Sequence, residues 1–494
     1  MENKRTEAKS SYHVGGMSIV FVQLVLSVLF LVLAKENGMI PGKYLVPIGA
    51  GLLVFFGIAF GLQFLRGKKY IVGLVISILV DLILVGGIFS IYKADKLLVQ
   101  VGGATYKTDS MVVVVRADDS AKTLEDAKDY RYGIQTSVDV ENTDKMLEDV
   151  EKNVGRTVKV EEYSTIQEEA EALLWGRIDA AIYNEALASV IEESIEDYSS
   201  QVKVLYQYGI KTEIVQEEEK NVEEPFNVYI SGIDVSGAIS TTSRSDVNII
   251  MTVNPNTHKI LLTSTPRDYY VTIPGISGEQ RDKLTHAGIY GVDKSMETLE
   301  NLYGIDLSYY ARVNFTSLMT IVDALGGVDV NSEYEFTAGG YQFNKGVNHL
   351  DGKAALAFSR ERYSFQDGDN QRGRNQEAVL TAILNKAMSP AILLNASSII
   401  SSVSDSVETN MTSDDIAKFI NMQLSEGTSW QIESTAAVGT GDTQACFSSG
   451  SQPLYVMWPD EATVATISQK MHQILGGQYQ YPPSFVQYAD EIPY

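Results

Sequence analysis

Three apolar runs near the start of this 494-residue chain constrain its fold more than anything else: Val14 to Ala34, Tyr44 to Leu65 and Tyr70 to Tyr92. Each is close to the ~20 residues a helix needs to cross a bilayer. A secretory signal would be one short run with a cleavage site, so three full-length runs with tight loops predict a membrane anchor over residues 1–92. Lys4, Arg5 and Lys9 precede the first run and Arg66, Lys68 and Lys69 follow the second, whereas the first loop offers only Lys35 and Lys43 beside Glu36. That bias places the N-terminus in the cytoplasm and everything after Tyr92 outside, as a multi-pass cell-membrane protein with a large extracellular C-terminal part. Asp81 sits inside the third run, where a charge is costly; a protonated or helix-paired carboxyl in a three-helix bundle is the plainer reading.

The two parts differ in charge. Up to Tyr92 there are eight Lys and Arg against four Asp and Glu, so the anchor is +4 and the remainder −28 of the total −24. A nucleic-acid-binding domain would be basic, so no nucleic-acid partner is expected. The single cysteine, Cys446, excludes an intrachain disulfide.

Beyond the anchor, QEEEKNVEEP at 216–225 reads as a solvated linker separating an accessory domain at 100–215 from a second domain at 226–390. In the first, MVVVV (111–115), YGIQ (132–135) and VKVEEY (158–163) predict short strands. The segment from Ile166 to Asn184 carries helical spacing at Ile166, Ala170, Leu173 and Leu174. Alternating strands and helices make this an α/β module. Its phrases SMVVVVRADDSAKTLEDAKDYRYGIQ and LLWGRIDAAIYN resemble half of a periplasmic solute-binding domain, a likeness any βαβ unit could share.

After the linker, FNVYISGID (226–234) predicts a buried strand ending at Asp234, and DVNIIMTVNPNTHKILLTSTPRD predicts a hairpin turning at Asn254 to Thr257. If these strands are neighbours, Asp234, Arg244, Asp246 and Arg267 gather at one sheet edge. Helices follow from the spacing of Val292, Met296, Leu299 and Leu302, and of Phe315, Leu318, Met319, Val322 and Leu325 before Gly326 and Gly327. A further helix spans Ala378 to Met388; Thr412 and Asp460 cap two more, ending near Gly427 and Gly476. Residues 391–494 are expected to complete this domain.

Familiar catalytic signatures are missing: no G-x-x-x-x-G-K-[ST] loop, no H-E-x-x-H and no G-x-S-x-G. DGDNQRGRNQEA fails as a calcium loop, with Arg372 where glycine is needed and Ala378 where glutamate is needed. The five histidines, His13, His258, His286, His349 and His472, form no i, i+4 pair, and Ser231 and Ser236 have no evident histidine partner. What remains is guanidinium and carboxylate. SRERYSFQDGDNQRGRNQ (359–376) brings Arg360, Arg362, Arg372 and Arg374 together in an acidic chain. Planar guanidinium forks bind phosphate oxygens bidentately, and Asp234 and Asp246 are hard ligands of the kind Mg²⁺ takes alongside phosphate oxygens. Surface ion pairing, Arg360 with Glu361 or Arg372 with Asp369, is the structural alternative.

In the order SGIDVSG, SRSDVNIIMTVNP, LLTSTPRDYYVTIPG, KLTHAGIYG, FTSLMTIVDALGGVDV, LDGKAALAFSRER and GDNQRGRNQ, the chain resembles the LytR-CpsA-Psr (LCP) family, and within it the streptococcal CpsA-type capsule proteins. The resemblance implies an α/β fold: three transmembrane helices, a small accessory domain, and a domain whose central sheet is surrounded by helices. The implied activity is Mg²⁺-dependent transfer of a capsular polysaccharide or related glycopolymer from undecaprenyl pyrophosphate to peptidoglycan. Other capsule-assembly proteins and the bilayer are the remaining implied partners. Asp234 and Asp246 would hold the metal. Arg244, Arg267, Arg362 and Arg374 would hold the pyrophosphate, with Arg360, Arg372 and Gln376 in the same motifs, and Asp369 is the candidate base. The family's last arginine directly precedes its glutamine, whereas here Asn375 intervenes. Hydrolysis of the lipid pyrophosphate, or a non-enzymatic receptor or regulator role, uses the same residues and stays open.

Overall fold

The computed structural model describes residues 14–65, 68–101, 106–213, 221–233, 239, 241–366, 368–393, 396–403, 406–450 and 452–477. It divides into two compact units: one within Met1–Gly102, Met388–Ser404 and Thr412–Thr428, the other within Gly103–Ala387, Asp405–Met411 and Ser429–Tyr494. Residues 216–220 of the expected linker lie outside the described residues.

The first unit opens with α1 (Val14–Glu36), α2 (Gly42–Leu62) and α3 (Lys69–Val101), all long and apolar enough to cross a membrane. α3 runs past the expected end at Tyr92 because KADKLLVQV consists largely of good helix formers. Inside the bundle, Ser77 Oγ donates to Gln23 Oε1 at 2.7 Å. Asp81, one turn further along α3, has its Oδ1 enclosed without a hydrogen-bond partner.

The second unit begins with the accessory domain: β1 (Tyr106–Arg116), β2 (Arg131–Gln135), α4 (Val140–Val154), β3 (Lys159–Tyr163), α5 (Ile166–Leu174), β4 (Ala180–Asn184), α6 (Ala188–Ser194) and β5 (Val202–Glu213). The strands form a sheet in the order β3-β2-β4-β1-β5. The helical spacing expected to reach Asn184 stops at Leu174, because Gly176 turns with φ +71° and AAIYN enters the sheet centre fully buried. A strand covered on both faces reads as a continuous apolar run, which periodicity cannot separate from a buried helix.

The domain that follows contains β6 (Phe226–Ile233), β7 (Ser245–Asn254), β8 (Lys259–Thr265), α7 (Val292–Tyr303), β9 (Tyr309–Asn314), α8 (Phe315–Ala324), α9 (Gly352–Arg360) and α10 (Asp369–Ala387). AALAFSR is helical: Asp351 caps the helix by accepting from Ala354 N at 2.8 Å, and Ala354, Ala355, Phe358 and Ser359 form its buried face. Gly352 lets α9 start against α8, since a Cβ there would lie 2.4 Å from Met319 O. α10 starts at Asp369, well before the expected Ala378, so Arg372, Arg374 and Gln376 all lie on a helix.

Residues after 390 are shared between the units, where the sequence reading assigned them all to one domain. α11 (Ala396–Val403) and α12 (Ser413–Glu426) belong to the anchor unit. There Ala396, Ala417, Ile420 and Leu424 bury against Met39 and Ala94. Asn421 Nδ2 also donates to Gly38 O at 2.6 Å, and Lys43 Nζ to Ser425 O at 2.7 Å. β10 (Val407–Thr409), β11 (Gln431–Ala436) and α13 (Glu461–Leu475) return to the sheet domain.

The central sheet has the order β10-β9-β6-β7-β8-β11, with β6-β7-β8 antiparallel and β9 parallel to β6. Side chains alternate across it. Tyr229, Ile250 and Leu261 face a dense core with Leu299, Leu302, Tyr303, Val464, Ile467 and Met471 of α7 and α13. Ile230 and Ile249, the neighbours of two of these, face the other way.

Candidate functional site

Strand register gathers the polar groups. Ile233 pairs with Ser245, Asn248 with Thr265, and Asn314 with Ile233, so β6, β8 and β9 end at the edge where β7 begins. Asp246 starts β7 there and Arg267 leaves β8 there, which is the gathering the sequence pattern suggested. Asp234, next after Ile233, lies outside the described residues, as does the side chain of Asp369.

Behind this edge, between the sheet and helices α8 and α10, lies a cavity of about 370 Å³. Its polar lining is Asp246, Arg267, Arg360, Arg362, Arg372 and Gln376, together with Asn314, Ser359 and Tyr363. Its apolar lining comes from Ile230, Ile233, Val247 and Ile249 of the sheet, Val313 and Phe315, Leu318, and Val379, Leu380 and Ile383. α10 shows the gradient most directly. Arg372, Gln376, Val379, Leu380 and Ile383 stand at i, i+4, i+7, i+8 and i+11, one helical face that changes from charged to apolar. At 1.5 Å per residue this stripe is ~16 Å long.

The charged end is held in fixed geometry. Arg267 Nη1 donates to Asp246 Oδ1 at 2.9 Å, and Thr285 Oγ1 approaches the same oxygen at 3.4 Å. Arg360 lies over the Phe315 ring at 4.3 Å and Arg362 over Tyr363 at 4.6 Å, cation–π contacts that orient guanidinium planes without neutralising them. Gln376 Nε2 reaches Ser359 O at 3.5 Å. Cations in the first turns of a helix oppose its dipole. Their placement at the start of α10 therefore suits an anionic ligand, which both the helix terminus and the guanidinium groups favour.

Two of the expected pyrophosphate residues are placed elsewhere. Arg374 lies off the lining face of α10, where Nε donates to Gln371 Oε1 at 2.8 Å and approaches Glu333 Oε2 at 3.5 Å. The intervening Asn375 explains this: it faces inward, donating to Phe358 O at 3.2 Å, and leaves Arg372 rather than Arg374 in register with Gln376. Arg244 lies outside the cavity lining and pairs with Glu193 of the accessory domain at 2.7 Å.

Glu377 is a neighbour the sequence reading missed. It is buried and accepts from Ser264 N at 3.0 Å. Burial pushes its carboxyl up to about 8, against the pull of the Ser264 N–H and of Arg374. Near pH 7 it is largely protonated, so it does not cancel the arginines beside it. His286 is wholly buried with Nδ1 2.6 Å from Asp282 Oδ1. Ser448 Oγ is 2.9 Å from the same ring nitrogen, so serine and aspartate share one side of the imidazole, unlike a nucleophile–base–acid relay. Ser231 Oγ is 2.8 Å from Ser245 Oγ.

The fold and site define a class: an α/β domain joined to three apolar helices, with a cavity that is cationic at one end and apolar along the rest. A family profile described as the LytR_cpsA_psr family matches residues 189–471, more than half of the chain, and the chain belongs to that family. It is 39% identical over 201 residues to a polyisoprenyl-teichoic acid–peptidoglycan teichoic acid transferase TagU of Enterococcus faecalis, covering 40% of this chain and 65% of that protein. It is 36% identical over 192 residues to a TagU of Bacillus mycoides, covering 39% and 62% respectively. The chain thus spans less than two thirds of these relatives' length. A crystal structure of B. subtilis TagV is similar with TM-score 0.45 at 24% identity, covering 52% of this chain and 99% of that one. One of TagT bound to LI-WTA gives 0.42 at 27%, covering 53% and 94%.

Proposed function

We propose that this protein transfers a glycopolymer, a capsular polysaccharide if the CpsA-type motifs set the cargo, from a polyprenyl pyrophosphate to peptidoglycan at the outer face of the membrane. The observation that carries this reading is the α10 stripe, a charged-to-apolar gradient along one cavity wall that matches an anionic headgroup followed by a hydrocarbon tail. The names of the TagU relatives support the donor and acceptor classes. The lysine and arginine bias of the short loops supports an extracellular site.

Arg267, Arg360, Arg362 and Arg372 would bind the two phosphates and stabilise charge on them as the bridging bond breaks. Attack by an acceptor hydroxyl on the sugar-linked phosphorus forms the new O–P bond, breaks the P–O bond to the lipid-side phosphate and releases polyprenyl phosphate. The hydroxyl proton passes to a carboxylate, for which Asp369, in the first turn of α10, is the candidate. Mg²⁺ fits the donor set in part. Asp246 borders the cavity, the family resemblance adds Asp234 as a second carboxylate, and Mg²⁺ commonly combines one or two carboxylates with phosphate oxygens. Among the described residues no group of three or more potential metal ligands occurs, so the substrate's oxygens would complete the shell. The ion would supply neutralisation of phosphate charge.

The test presents the purified full chain with a lipid-linked oligosaccharide, Mg²⁺ and peptidoglycan fragments, with products followed by mass spectrometry. Wall-linked sugar is expected, and Arg267→Ala is expected to abolish it. Phosphate release without sugar transfer would replace this reading with a hydrolase.

A further inference from the structure

The accessory domain has no assigned role, yet it reaches the residues beside the cavity. In an open α/β sheet, ligands usually bind beyond the carboxyl ends of the parallel strands. Here β2 and β4 are parallel, and the start of β1 lies at the end of β4 through the Met111–Asn184 pair. That edge is occupied by the chain's own segment leading into β7. Thr242 N donates to Thr108 O at 3.1 Å, and Thr242 Oγ1 donates to Asp109 Oδ1 at 3.0 Å. On the opposite side the segment presses on Gly288, where a Cβ would lie 2.6 Å from Ser243 O and 2.9 Å from Ser245 N. The backbone at Arg244 is therefore gripped from two sides.

Its side chain is gripped as well. Glu193, at the end of α6, accepts from Arg244 Nη1 through Oε1 and from Lys283 Nζ through Oε2, both at 2.7 Å. His286 Nε2 stands 3.6 Å from Oε1. A carboxylate at a helix C-terminus opposes the helix dipole, so its placement does not serve α6. It is matched instead by cations of the neighbouring domain. Burial works to raise the Glu193 carboxyl, but His286 and Lys283 outweigh it and hold the group well below the usual carboxylate range. Burial likewise works to lower His286, and Asp282 and Glu193 overcome it, leaving the ring at about 8. From Glu193 the charges alternate toward the cavity: Lys283 to Asp268 at 3.4 Å, Asp268 to Arg267 at 3.7 Å, and Arg267 to Asp246 at 2.9 Å.

Resting on the reading of the cavity as a diphosphate site, we infer that Glu193 is a positioning residue of that site, through which the accessory domain, by way of Lys283 and Asp268, fixes Arg267 beside Asp246. Asp268 and Asp246 between them set the plane of the Arg267 guanidinium, whose fork must be aligned to meet phosphate oxygens bidentately. The accessory domain thus does structural work for catalysis and uses its own ligand edge to do it.

The test uses the full chain in nanodiscs and geranylgeranyl pyrophosphate with Mg²⁺ as the probe, titrated calorimetrically. Glu193→Gln is expected to weaken binding about tenfold, as removal of one charge-assisted contact would. Glu193→Asp should recover part of the loss. In a Lys283→Met background Glu193→Gln should add nothing, because the two groups act as a unit. Unchanged or tighter binding by Glu193→Gln, or losses that multiply in the double variant, would overturn the inference. Arg267→Ala separates the two levels. If it binds the probe normally, the diphosphate reading itself fails; if it loses the probe while Glu193→Gln does not, only the role of Glu193 fails.

Discussion

The two faces of the central sheet are built from the same strands and differ in what they enclose. On one, Tyr229, Ile250 and Leu261 meet α7 and α13 in a filled core. On the other, Ile230 and Ile249 face a cavity under α8 and α10. Alternate residues of a single strand thus serve stability and ligand space. A protein interior is ordinarily packed like an organic crystal, so an apolar hollow beside a cluster of arginines is best understood as room for a ligand.

That contrast can be broken by substitution on either face. The largest stability effect is expected on the filled face: Leu299→Ala should cost about 2–5 kcal/mol in chemical denaturation while leaving ligand affinity in the folded protein near wild type. On the open face the effects should reverse. Leu380→Trp should leave the unfolding midpoint close to wild type but exclude a long prenyl chain. Because each buried CH₂ contributes ~0.8 kcal/mol, affinity for a long-chain polyprenyl pyrophosphate should fall about a hundredfold while inorganic pyrophosphate binds as before. If Leu380→Trp instead weakens both ligands equally, the apolar stripe does not hold the tail.

The smallest effect concerns pH. Glu377 has a folded-state value of about 8 against an ordinary 4.5, so the folded protein binds more protons than the unfolded chain between those values. Stability contributed at this position is therefore full below about pH 4.5 and declines as pH rises through about 8. Glu377→Gln should flatten that part of the stability–pH curve by less than one proton. An unchanged slope in urea titrations at pH 5, 6.5 and 8 would place the carboxyl in a more polar setting than its burial implies.

Much of this was legible in the sequence because it is local. The three apolar runs, the hairpin around Asn254 to Thr257, and the capped helices after Thr412 and Asp460 announce themselves through length, turn chemistry and caps. The sheet-edge gathering of Asp246 and Arg267 follows from strand order alone. Where burial on both faces removes periodicity, type was misread: AAIYN, taken into a helical segment, is a strand. The single residue Asn375 changed which arginine faces the cavity, and its helical phase was hidden while the start of α10 was misplaced. Glu193 and Glu377 were out of reach for another reason. Their meaning depends on partners 51 and 113 residues away in the chain.

The path of the chain after α10 carries one more consequence. The backbone leaves the sheet domain, contributes α11 to the anchor unit, returns for β10, leaves again for α12 and comes back as β11. Cutting the chain just after α3 would therefore not release an independent C-terminal piece. It would strip α11 and α12 of Met39 and Ala94, exposing Ala417, Ile420 and Leu424 to water. A truncated protein made that way should be sticky and short-lived in solution. The chain crosses between the two units five times, so the anchor cannot be removed as a separate N-terminal piece.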